Sequence, residues 1–405
     1  MFKTYRPSER PQKELRTVSL MHAMNDGYLA ALPLLLPFAS AELGLSFREA
    51  GIMTGALGAA GAALALPAAG VAGALGGFRA LVGSAAVYSA SFAAFGLARG
   101  PISAFAAFAG ASLGFGLFHP IGFALVAGAG DDAGLGGRMG AFTALGDLGR
   151  VGLAAALTFA VAAFGWRASA IGFGAVALAA LSVACLATAL SRPPACAAAV
   201  GTRAKATTER RVGSRRLLSY PPFALAALGC LIDGLASSSI FVFIPFLFIA
   251  RGASPALVGS LTGAFFVGNM LGKVAIGKVA DRANATGVFV ASEAVMAALL
   301  VALGAAKNTY ALAGLAVALG AVTKGTVPVL NALVAKAVPD RGLYTEAFAF
   351  VSLLGGVSAA VAPIVLGALA QAAGVEYVFL ACAAVALAAT APVVASSYAS
   401  HRKWN

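Results

Sequence analysis

Long apolar runs separated by short polar interruptions dominate this chain. Crossing a bilayer as a helix takes about 20 consecutive apolar residues. Twelve runs approach that length, centred near Leu29, Ala60, Val87, Leu113, Ala154, Val176, Gly234, Phe265, Met296, Leu319, Leu353 and Ala384. They are continuously apolar instead of alternating, which excludes the strands of a closed barrel. The pattern therefore predicts an all-α membrane protein with twelve transmembrane helices. Helices one to six fall within residues 15–190 and helices seven to twelve within 220–396, with a polar stretch at 191–219 between them. Three units are expected: an N-terminal six-helix bundle (1–190), a basic cytoplasmic linker (191–219) that is disordered or lies on the anionic inner leaflet, and a C-terminal six-helix bundle (220–405).

Composition agrees with the pattern. Sixty per cent of the 405 residues are hydrophobic, only 11% are charged, and mean hydropathy is +0.90. A soluble core cannot hide that much apolar surface. Forty-nine glycines suit helices that approach closely in lipid. The net charge of +13 raises nucleic acid as a partner, but its distribution argues for topology instead. With the N-terminal tail placed in the cytoplasm, inner segments collect twenty Lys and Arg while outer loops hold Arg48, Arg99, Arg167, Arg251 and Lys307. This bias puts both termini in the cytoplasm of a multi-pass protein of the cytoplasmic (inner) membrane, with the lipid bilayer and no nucleic acid as partner. The first run is too long for a signal-peptide core and carries Asp26, so it should stay as an anchor. Cys185, Cys196, Cys230 and Cys382 show no metal spacing and no disulfide framework. No cofactor or metal is expected, there is neither a nucleotide loop nor a nucleophile elbow, and a monomer that is not an enzyme is the expectation.

An internal repeat supports two halves. Gly51-Ile52-Met53-Thr54-Gly55 recurs as Gly259-Ser260-Leu261-Thr262-Gly263, Asp26-Gly27 as Asp233-Gly234, Pro120 as Pro328 and Ala141-Phe142 as Ala349-Phe350, all at an offset of 207 or 208 residues. Parallel six-helix repeats with a site between them near the midplane are a known transporter plan.

The segment after helix eight reads Gly277-Lys278-Val279-Ala280-Asp281-Arg282. It resembles the Gly-x-x-x-Asp-Arg/Lys loop signature of the major facilitator superfamily, and helix count, central linker and repeat extend the resemblance over nearly the whole chain. The resemblance implies a gating role for Asp281 and Arg282. In the first half the equivalent is Gly70-Val71-Ala72-Gly73, with glycine where the acid belongs.

Ionisable groups inside a membrane are functional-site hypotheses by default. On helix one His22 and Asp26 are four residues apart and share a face, with Asn25 beside them and Tyr28 one turn on. Asp26 with His22 is the candidate for proton coupling, and Asp233 joins it as the repeat partner of Asp26. Pro33 and Pro37 permit a bend in the same helix. Helix four brings Phe118-His119-Pro120 to a similar depth. Helix five carries Asp147 and Arg150 three residues apart, able to pair across one turn. Arg150 can fork onto a carboxylate or phosphonate. Helix ten carries Lys324 and Asn331. Asn25, Tyr28, His119, Asp147, Arg150, Lys324 and Asn331 are the candidate substrate contacts. Lys273 on helix eight reads as nearer the cytoplasm and able to snorkel, and Glu293 on helix nine as an inter-helix contact.

His22 with Asn25-Asp26 and Phe118-His119-Pro120 resemble the fosmidomycin-resistance branch of the superfamily, whose members are regarded as proton-driven exporters. The leading expectation is therefore a secondary active transporter working by alternating access, coupling protons to export of a small organic compound. Two alternatives stand beside it: proton-symport uptake of a small organic anion, and a non-transporting receptor or scaffold that keeps the fold.

Overall fold

The computed structural model describes residues 9–64, 67–128, 135–190, 217–339 and 343–401. The first eight residues, Cys196 and most of the expected linker lie outside them. Helices and turns make up the described residues, with no strand among them. Fourteen helical segments follow in order: α1 (Glu9–Leu34), α2 (Leu36–Leu43), α3 (Phe47–Leu64), α4 (Pro67–Leu75), α5 (Gly77–Gly96), α6 (Pro101–Gly128), α7 (Leu135–Leu190), α8 (Pro221–Ser237), α9 (Ile240–Ala250), α10 (Pro255–Arg282), α11 (Ala285–Ala305), α12 (Thr309–Ala337), α13 (Tyr344–Ala373) and α14 (Val375–His401). They join into twelve spans. The pairs α1–α2, α3–α4 and α8–α9 form spans one, two and seven, and α7 reverses at Gly165 to supply spans five and six.

Among the described residues nine stretches are long and apolar enough to cross a membrane when taken singly, and one of these, Ala141–Val183, crosses twice through the Gly165 turn. Span one falls short because it carries the polar cluster. Leu113, Phe159, Val176 and Val365 are all more than half exposed, as lipid-facing side chains in a multi-pass membrane protein would be.

Span one breaks at Leu35, between Pro33 and Pro37. Pro37 has no N–H to continue the ladder, and a short turn from Leu35 N–H to Leu32 O (3.1 Å) replaces the lost α-helical bonds. At the end of the molecule away from the termini, hereafter the far end, the turns after spans one, five, seven and eleven hold Gly44, Gly165, Gly252 and Gly374, at φ of 68°, 77°, 80° and 115°. An L side chain is strained there, so glycine closes these turns. Gly44 matches Gly252 at an offset of 208 and Gly165 matches Gly374 at 209. Ser46 begins α3 in a reciprocal cap with Glu49 (2.8 and 3.2 Å), and its repeat partner Ser254 caps α10 by accepting from Leu257 N–H (3.4 Å). The carbonyl of Gly96 accepts from Arg167 (3.0 Å), and that of its partner Gly304 from Arg251 (2.7 Å). Arg167 and Trp166 also hold Glu42, at 2.7 and 2.8 Å, tying span six to the end of span one.

The two halves of the chain meet along two seams of small residues in the far half of the molecule. Gly51, Gly55 and Gly58 of span two lie so close to Pro363, Ala360 and Ala359 of span eleven that a Cβ at any of them would strike backbone. Gly259 and Gly263 of span eight face Thr158 and Ala155 of span five. Small residues let helix axes approach and replace the missing hydrophobic drive with dispersion contact. One apolar core runs through both halves at this end, including Leu35, Ala39, Phe243 and Leu366. A separate core around Phe223, Phe289, Val334 and Val393 lies towards the termini, and among the described residues none of the first half joins it. The halves are thus closed on each other at the far end and parted at the terminal end.

Candidate functional site

Spans one and five are pressed together by glycine, and the polar groups of span one are held at that contact. A Cβ on Gly149 would meet the backbone of Ala23. One on Gly146 would lie 2.6 Å from His22 Cε1 and 2.7 Å from Asp26 Oδ2. His22 is 2% exposed and its Nδ1–H donates to the Phe142 carbonyl (2.8 Å), while its ring stacks on Phe142 with centroids 3.9 Å apart. That bond fixes the tautomer, so the Nε2 lone pair of a neutral His22 faces inward. His119 of span four places Nε2 2.9 Å from Asp26 Oδ1 and 3.3 Å from His22 Nε2. Asn25 Nδ2 donates to Asp26 Oδ1 (3.2 Å), and Asn25 Oδ1 is buried with no hydrogen-bond partner.

Span five carries the cluster onward. Arg150 reaches Asp26 Oδ2 through Nη2 (2.6 Å) and Asp147 Oδ1 through Nη1 (3.3 Å). The i,i+3 pair expected within span five is therefore present, but it is the longer of the two contacts. Asp147 is held more closely by Lys273 of span eight, whose Nζ donates to its two oxygens at 2.8 and 2.6 Å. Lys273, read from the sequence as able to snorkel, is instead paired with a carboxylate of the other half. Asp26, Arg150, Asp147 and Lys273 form one line of alternating charge across the two halves. Two acids and two bases balance, so desolvation is partly offset by pairing and no surplus charge remains.

The second half has a smaller cluster of a different kind. Asp233, 5% exposed, accepts from Thr326 Oγ1 at 3.5 Å. Glu293 is fully buried, with neither carboxylate oxygen in hydrogen-bond geometry, and the charged neighbour acting on it is Asp233. Glu293 thus meets Asp233 across spans nine and seven, in keeping with its reading as a contact between helices. Lys324 is half-buried within electrostatic reach of Asp233, Arg150, Lys273 and Asp147, without a direct ion pair to any of them.

The remaining candidates fall elsewhere. Tyr28 is 4% exposed, donates to the Phe173 carbonyl (2.6 Å) and packs against Tyr88 and Phe92 inside the first half. Asn331 is exposed on α12 towards the terminal end. Gly277–Arg282, expected as a loop, forms the last turns of α10; Arg282 is exposed where its charge suits the helix C-terminus, and the Asp281 side chain lies outside the described residues.

Among the described residues, His22, Asp26 and His119 could together hold a metal ion, with one ligand atom from each and all three within 4.8 Å of one another. Sequence spacing did not show this, since the histidines are 97 residues apart. The signal available was scarcity: the chain has three histidines, and two of them meet here.

Two comparisons bear on this architecture. The model of the Major Facilitator Superfamily matches residues 226–402. A bacterial homolog to the human lysosomal transporter Spinster, in an inward-facing and unoccupied conformation, superposes with TM-score 0.79 at 15% identity, covering 98% of this chain and 99% of that one. Its inward-facing and occupied form gives 0.78 at 14%, covering 97% and 98%. The nucleoside transporter NupG gives 0.75 at 14%, covering 95% and 98%. No curated protein matches the sequence. The chain has the major facilitator fold, and the solved structures it resembles are transport proteins instead of enzymes.

Proposed function

We propose that the protein is a secondary active transporter that works by alternating access and moves a small organic anion together with a proton. The observation that carries this reading is the line Asp26–Arg150–Asp147–Lys273, which joins the two halves through charge instead of apolar packing. Arg150 and Lys273 are about one third exposed on opposite halves, and Lys324 lies within electrostatic reach of both. An anionic group entering from the open end competes with Asp147 for Lys273 and with Asp26 for Arg150. A proton on Asp26, passed by His119 or His22, releases Arg150 to the substrate. Proton and anion then assist each other, which is the condition for symport. The positive-inside pattern puts the open, terminal end in the cytoplasm. That pattern supports a reading in which the protein sits in the cytoplasmic membrane with this end inward and its two six-span halves as the rocking bodies.

Export by proton antiport is the second reading. The span-one and span-four motifs that resemble the fosmidomycin-resistance branch favour it, and it requires proton and substrate to compete for Asp26. Reconstitution into liposomes with an imposed proton gradient and a panel of organic acids, phosphonates and drugs separates the two. Symport predicts anion accumulation on the alkaline side, with pH falling there. Accumulation on the acidic side establishes antiport, gradient-independent movement removes proton coupling, and absence of flux across the panel leaves the scaffold reading.

A further inference from the structure

We propose that His22, His119 and Asp26 form a binding site for a divalent transition-metal cation, with Zn2+ the best fit. The proposal does not rest on the transport reading.

Its basis is a triangle of ligand atoms. His22 Nε2 to His119 Nε2 is 3.3 Å, His22 Nε2 to Asp26 Oδ1 is 3.4 Å, and His119 Nε2 to Asp26 Oδ1 is 2.9 Å. A tetrahedral Zn2+ with bonds of about 2.0–2.1 Å sets its ligand atoms about 3.3 Å apart. The three atoms therefore already occupy one face of such a tetrahedron. Their chemistry agrees. His22 gives its Nδ1–H to Phe142 O, so its Nε2 and Asp26 Oδ1 are two lone pairs facing each other across 3.4 Å. Only the Nε2 proton of a neutral His119 lies between three atoms that can all accept. A cation satisfies all of them once that proton moves to His119 Nδ1, which leaves the ring neutral and the proton count unchanged.

The surroundings are those of a ligand set held in place. The Phe142 carbonyl orients one imidazole, as backbone carbonyls commonly do for metal-bound histidine. Arg150 holds the other carboxylate oxygen, leaving Oδ1 aimed at the histidines. The side chains of His22 and Asp26 are 2% and 4% exposed while that of His119 is 31% exposed, so the ion enters past His119 and a water or substrate anion completes the fourth position. The guanidinium beside Oδ2 opposes a dication, and its second contact with Asp147 gives it another place to rest. The two borderline imidazoles argue against Mg2+ and Ca2+, which take oxygen shells of six or more ligands.

The test uses the full chain in detergent, purified without a histidine tag and stripped of metal. Titration with Co2+ is expected to give visible d–d absorption of tetrahedral strength saturating at one equivalent, removed by Zn2+. His119→Ala and His22→Ala should lose it, with Zn2+ affinity down at least about 100-fold, and His401→Ala should keep it. His119→Cys guards against simple misfolding: a thiolate there restores binding and adds a sulfur-to-cobalt charge-transfer band that a packing histidine could not produce. Absence of tetrahedral bands in the native chain, their survival in His119→Ala, or a failure of His119→Cys to give the new band overturns the proposal. Each readout is independent of flux, so a failed transport assay leaves it standing.

Discussion

Asp26 is gripped from three directions, by Arg150, by His119 and by Asn25, and in the proposed cycle a proton frees it from one of them. Asp26→Asn removes the charge and keeps the shape. It should abolish gradient-driven flux in liposomes while membrane insertion and the elution profile stay unchanged; undiminished flux would sink the role. Asp147 stands differently, since it compensates two cations at once. Asp147→Asn should cost about 3 kcal/mol, the lower end for a broken buried pair because the three partners are partly exposed. Asp147→Asn combined with Lys273→Met should recover much of that in a thermal-melt double-mutant cycle. At this scale the sequence showed Asp26, His22, His119 and Arg150 by their depth and shared faces. The partner of Lys273 escaped because Asp147 sits on another span, in the other half. Helical periodicity says which way a side chain points on its own helix and nothing about what waits there.

Helices in this fold are spaced by glycine, and the spacing is uneven in its demands. Gly149 sits against the Ala23 backbone, whereas Gly172 on span six has open space where a Cβ would go. Gly149→Ala should therefore cost about 1–3 kcal/mol by overpacking, and Gly172→Ala should be neutral or gain up to about 1 kcal/mol from helix propensity; melting temperatures of the two variants side by side check the contrast. The break at Leu35 followed from Pro33 and Pro37, and the repeat extended to features the sequence reading had not used, the glycine turns and serine caps. The fate of Gly277–Arg282 did not follow, because a signature read as a loop has no proline or glycine after it to stop α10 before Arg282.

Twelve spans were legible in hydropathy and the two-fold repeat in matched residues such as Asp26-Gly27 and Asp233-Gly234, but which end of the molecule is closed was not, since both seams are built largely from glycine and alanine found everywhere in the chain. Ala155 and Gly263 offer a direct probe. Their Cβ positions lie 3.9 Å apart across the halves, within the range of a disulfide. In a background lacking the four native cysteines, Ala155→Cys with Gly263→Cys should cross-link under mild oxidation, stop transport and recover on reduction; free transport in the cross-linked protein would mean this seam never opens. The position of Lys273 along α10 adds a mechanical consequence. It lies eighteen residues from Pro255 and nine from Arg282, or about 27 Å and 14 Å of helix. Any rotation of span eight about its grip on Asp147 is a lever with unequal arms. For each degree of tilt the far tip sweeps twice the arc of the terminal tip, so a modest movement at the charged line suffices to unzip the glycine seam.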